Sequence, residues 1–257
     1  EAIRFYQEHR AQELTEILWR HSSSPWKDRI ELHGKRVKGH VSNAAFIRSL
    51  MSSFVRKGGR QNNIGGLFGS ISNSDGSSSK VLPWKRSQQA AFLIFIWRKL
   101  HESVNNSAAA WVLPLRKNAQ RTIDTHQLDP AFAGEFSLLS TDQGVRAILV
   151  VFNALCQASY DTLKLEEWIV DDVSDNPGDS AVDNCLKELR EFETLSSFIR
   201  KCCDEIVNGI DWRTSSEPSL NKDQNLKQSA YRGSSGYKML KDTVFECLSK
   251  SEYADIK

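Results

Sequence analysis

Lys27, Arg29, Lys35, Arg36, Lys38 and His40 fall within 14 residues, with Trp26 at the head of the run. Clustered cations can neutralise phosphates and release the counterions condensed on a nucleic acid, and an aromatic ring can stack on a base or wedge into a groove. The same charges also suit a solvated strand edge, where lysines discourage strand-to-strand aggregation. A second candidate is Arg232-Gly233-Ser234-Ser235-Gly236-Tyr237, just before the last long apolar pattern. Flexible glycines, a nearby Arg and free N–H groups at a helix start suit an anion. A Gly-Ser turn that merely caps the helix uses the same residues. Trp212 and Arg213 either meet this loop or, for Trp212, fill the core.

Patterns for catalysis are scarce. The sequence has no G-x-S-x-G, H-E-x-x-H, G-x-G-x-x-G or Walker A lysine loop. Asp171 and Asp172 sit in a solvated acidic run, which does not separate an acid from a base. His126, near Asp124 and Asp129, suits a loop hydrogen bond. The five cysteines lack both C-x-x-C and histidine neighbours, so neither a disulfide framework nor a structural zinc site is expected. Cys202 and Cys203 lie on a helical pattern, where buried thiols behave as small hydrophobes. We expect no cofactor and no metal.

Composition is that of an ordinary folded chain, 40% hydrophobic and 26% charged. The longest apolar run, Ala90 to Trp97, is far below the roughly 18 residues of a membrane span. A cytoplasmic protein without a membrane partner is therefore expected. Glu1 is not an initiator Met, so the chain is expected to begin inside a longer protein. Charge is split along the sequence: residues 1–130 hold 20 Lys+Arg against 10 Asp+Glu, and residues 131–257 hold 14 against 22. Either the basic half meets a polyanion, or the two halves attract each other within one fold.

Helical periodicity dominates the elements that must position these residues. It predicts helices over Ile3–Arg20, from Ser42 as N-cap through Val55, over Arg86–His101, from a Ser140/Gln143 capping box through Cys156, and from a Ser180/Asp183 box to Gly209 with a break or bend near Glu193. Further helices are expected near Asn221–Tyr231 and Tyr237–Lys250, and a short turn at Ala108–Leu113 stopped by Pro114. Alternation in Arg29–Leu32 and Arg36–Gly39 suggests a β-hairpin or an extended arm. Gly58–Leu82 holds six Gly and six Ser in 25 positions and reads as a mobile loop. The fold class expected is mainly α: a helical bundle with a short hairpin near residues 29–40. Its organisation is a basic region (1–158) and an acidic region (159–257) packed on it.

Ser24-Pro25-Trp26-Lys27-Asp28-Arg29-Ile30-Glu31-Leu32, followed by Val41-Ser42-Asn43-Ala44-Ala45-Phe46-Ile47-Arg48-Ser49-Leu50, resembles the helical region downstream of the DGQHR motif in DGQHR-domain proteins. These are ParB-like relatives that include bacterial DNA phosphorothioation regulators. The helix ending at Trp97, the Ala110-Trp111 step and the helix over Leu139–Leu155 follow in that order, so the resemblance covers about residues 1–158. The DGQHR signature is absent from this chain, and no defining functional residue carries over. The resemblance implies a DNA-binding or regulatory module of a bacterial DNA-modification or phage-defence system, with no chemistry of its own. A helical scaffold contacting other subunits of such a complex through the acidic half is one alternative. A fragment of a DNA- or nucleotide-processing enzyme, its active site before residue 1, is another.

Overall fold

The computed structural model describes residues 2–31, 37–57, 65–69, 80–119, 128–170 and 178–250. Among them the order is α1 (Ala2–Arg20), β1 (Ile30–Glu31), β2 (Val41–Ser42), α2 (Asn43–Met51), α3 (Arg86–Asn106), α4 (Val112–Ala119), α5 (Pro130–Ala133), α6 (Asp142–Ala158), α7 (Asp179–Glu191), α8 (Glu193–Gly209), α9 (Lys222–Ser229) and α10 (Gly236–Ser249). The molecule is mainly helical, as expected, and among the described residues its strands amount to one pair of two residues each.

The continuous apolar run makes α3 the axis. Every residue from Ser87 to Trp97 is buried, so no face of this stretch reaches water. Such a helix must be enclosed, and α1, α5, α7 and α8 all pack on it. Its buried amides are bonded: Gln88 Nε2 donates to Trp168 O at 3.0 Å, and Gln89 Nε2 to Trp84 O at 2.9 Å. A further layer forms where α6 packs on α2 and α10, and α10 also touches α8. One apolar core runs from Ala11 to Leu248 and takes side chains from both halves of the sequence.

Several local expectations shift for identifiable reasons. Ser42 caps α2 as expected, accepting from Ala45 N at 3.2 Å. The pair Ile30↔Val41 and Glu31↔Ser42 is parallel, so these two strands are not the arms of a hairpin. Alternation marks strand-like stretches but does not set their direction. Thr141, not Ser140, caps α6 by accepting from Gly144 N at 3.1 Å. Ser140 is taken up by a 3-10 turn, where its hydroxyl donates to the carbonyls of Gly134 and Ser137. At the head of α7, Gly178 is the cap and Ser180 lies inside the helix. Asp183 instead faces the end of α1, where it accepts from Ser23 Oγ at 3.3 Å. Pro114 sits in the first turn of α4 rather than ending a helix, because a proline there removes an N–H that has no helical partner. The break expected near Glu193 falls at Phe192, between α7 and α8.

Of the Gly- and Ser-rich stretch, residues 58–64 and 70–79 lie outside the described residues. The part between them is anchored. Phe68 stacks on Phe54 at 5.0 Å, and Leu67 is fully buried. Gly66 passes so close to the chain that a Cβ there would lie 2.1 Å from Phe54 O. Asn153 of α6 clamps this piece, accepting from Leu67 N and donating to Gly65 O, both at 3.0 Å. Replacing Asn153 with Ala leaves both backbone groups without this partner in a buried place, at a cost of about 1–3 kcal/mol. Urea denaturation of Asn153→Ala should show that loss through a lower midpoint.

Candidate nucleic-acid interface

The basic segment does not assemble as its spacing suggests. Trp26 is fully buried, with its ring edge-on to Trp97 at 5.0 Å and to Phe46 at 5.4 Å. It is therefore a core residue and is not available to stack on a base. Lys38 Nζ lies 2.7 Å from Glu135 Oε1, so its charge is offset locally. His40 is half-buried; burial first, then the Arg29 charge, push its imidazole below the ordinary value, and it is neutral near pH 7. Arg29 is half-buried and Lys27 is exposed. Lys35 and Arg36 lie outside the described residues.

The Arg232–Gly236 turn gains neighbours that spacing could not reveal. Gly233 takes φ +73, Gly236 N donates to its carbonyl at 3.1 Å, and Ser235 makes no side-chain cap. Gly236 is required by a close approach, since a Cβ there would lie 2.0 Å from Tyr231 O. Arg232, Ser234 and Ser235 are exposed. From α6, Gln143 Nε2 donates to Gly233 O at 3.1 Å. One turn on, the Arg146 guanidinium lies 3.7 Å from the Tyr237 ring centroid. Arg146 Nε also donates to Ser52 Oγ at 3.1 Å, which brings in the end of α2. Arg48 precedes Ser52 by one turn and is exposed. Among the described residues no carboxylate pairs with Arg48, Arg146 or Arg232, whereas Lys38 has Glu135.

This corner joins residues from three distant parts of the chain. Sequence reading found Arg232–Tyr237 but missed Arg48, Gln143 and Arg146. Arg48 and Arg146 carry no local mark beyond a polar position on an amphipathic helix, which most surface residues share, and the spacing of Gln143 pointed to a capping box with Ser140 instead. Trp212 and Arg213 stand apart from it. Trp212 is fully buried, donating from Nε1 to Ile206 O at 3.0 Å. Arg213 is clamped by Asp211 at 2.6 Å and by buried Glu217 at 3.5 Å; the bond to Asp211 holds its pKa above the ordinary value.

Asp124, His126, Asp171 and Asp172 lie outside the described residues. Asp129 pairs with Arg116 at 2.6 Å and caps α5 through Ala131 N. Among the described residues, no group of three or more His, Cys, Asp or Glu could hold a metal ion. No described helix is long and apolar enough to cross a membrane. No protein-family model, curated protein or solved structure matches this chain.

The thiols are placed for packing. Cys156, Cys185, Cys202 and Cys203 are buried, and burial raises the pKa of each, that of Cys202 to about 12. Cys247 is half-buried, and burial raises its pKa too. Since the thiolate is the reactive form, a thiol reagent at neutral pH should label Cys247 slowly in the native protein. The other four should react only after denaturation, as peptide mass spectrometry would report.

Proposed function

We propose that this chain is a DNA-associated binding or regulatory module of a bacterial DNA-modification or phage-defence system, acting by contact rather than by chemistry of its own. The resemblance of residues 1–158 to DGQHR-domain proteins supplies the biological setting. The observation that carries the contact is the Arg146–Tyr237 stack. A guanidinium held over a ring, 3.7 Å from its centroid, with Nε tied to Ser52, keeps its remaining N–H groups pre-positioned for a phosphate oxygen. Arg232, next to the Gly233 that Gln143 bonds, and Arg48, one turn before Ser52, have no carboxylate partner among the described residues. Contacts of this kind fix position on the backbone without reading sequence.

Duplex binding should weaken steeply as salt rises, because each neutralised phosphate releases counterions. The double variant Arg146→Gln/Arg232→Gln should flatten the logarithmic salt slope by about two units if both side chains contact phosphates. Fluorescence anisotropy across a salt series measures this, with circular dichroism confirming the fold. An unchanged slope in a folded double variant removes the corner from the interface. Failure of the parent chain to bind duplex at low salt would overturn the DNA reading and leave the helical scaffold.

A further inference from the structure

His101 stands in the last turns of α3, where that helix meets α5. Its ring packs edge-on against the buried Phe132 at 5.0 Å, and its Nε2 is buried without a hydrogen-bond partner. His40 sits half-buried immediately before β2. This part of the chain is pressed on α5, since a Cβ on Gly39 would lie 2.3 Å from Ala133 O. Val41 N donates to Arg29 O at 3.2 Å, and the Arg29 charge acts on both histidines.

Other histidines are differently placed. His9 and His21 lie 3.5 and 3.7 Å from the carboxylates of Glu13 and Asp183. Among the described residues neither His40 nor His101 has such a pair. The acids that face His101 are already engaged. Asp129 holds Arg116 at 2.6 Å and accepts from Ala131 N at 2.8 Å, and Glu102 holds Lys99 at 2.5 Å. On the other side Glu31, which faces His40, accepts from Val37 N, and Glu135 holds Lys38. Burial is the largest influence on both imidazoles and pushes each below its ordinary value. Asp129 and Glu102 oppose it at His101, Glu31 opposes it at His40, and Arg29 adds to it at both. A proton on His101 therefore puts a charged N–H in a buried place where no acceptor meets it.

We infer that His101 and His40 form an acid-sensitive latch, which closes β1, β2 and α5 against α3 when neutral and loosens them when protonated. Unfolding returns both groups to the ordinary value of 6.5, so below that pH the unfolded side binds more protons. The latch is fully closed above this value and loses stability as the pH falls below it. It does not rest on the DNA reading, since none of its groups belongs to the Arg146 corner.

Hydrogen–deuterium exchange of the whole chain tests it, read by peptide mass spectrometry and corrected for the pH dependence of intrinsic exchange. Peptides covering β1, β2 and α5 should exchange about tenfold or more faster at about pH 5.5 than at about pH 7.5, while α6 keeps its protection. His101→Gln, polar but unable to take up a proton, should lose most of that acceleration. His40→Gln should lose part of it, and it carries the test if His101→Gln fails to fold. In the parent chain, no acceleration, or acceleration shared equally by α6, overturns the inference. Full acceleration in either folded variant overturns it too.

Discussion

A helix with no solvent face sets the terms for the rest of the molecule. From Ser87 to Trp97 every side chain of α3 is buried, so four other helices must close around it before the chain is stable. Trp26 supplies the seal on one side, meeting Trp97 edge-on at 88° and lying 5.7 Å from Phe132. Such ring pairs add about 0.5–1.5 kcal/mol beyond the burial itself. Ser24 shapes the turn that delivers Trp26, its hydroxyl accepting from Trp26 N at 3.1 Å. The segment richest in cations is therefore tethered to the core by its own tryptophan.

Enclosing α3 also brings the two charged halves of the sequence together. Arg20 faces Asp179 at 3.8 Å, Lys38 faces Glu135 at 2.7 Å, and Lys80 pairs with Asp161. Exposed pairs of this kind contribute about 0–1 kcal/mol each, so they align elements more than they hold them. They also offset part of the basic excess, which narrows the surface left for a polyanion. Arg48, Arg146 and Arg232 are cations that this pairing leaves without a carboxylate among the described residues.

What was legible in the sequence divides along the range of the interactions. Periodicity marked α3 as buried and located most helices, and the Ser42 cap was readable because cap and partner lie three residues apart. Trp26 was misplaced because an indole beside lysines looks alike whether it faces water or a core. The α6 cap moved from Ser140 to Thr141 because a 3-10 turn, which local spacing does not reveal, claims the serine. Asp183 left its expected capping role for a contact with Ser23, 160 residues away. Of the anion loop, Arg232–Tyr237 was visible, but the stack on Arg146 needs two helices from separate parts of the chain to lie side by side.

We propose that DNA meets the molecule where α2, α6 and α10 converge rather than at the segment following Trp26. Arginine-selective modification with and without a bound duplex, read by peptide mass spectrometry, tests it on the unmodified sequence. Arg146 and Arg232 should lose most of their reactivity when duplex is bound, while Arg29 changes little. Protection confined to Arg29 and Arg36, with Arg146 and Arg232 reacting as in the free protein, would contradict it.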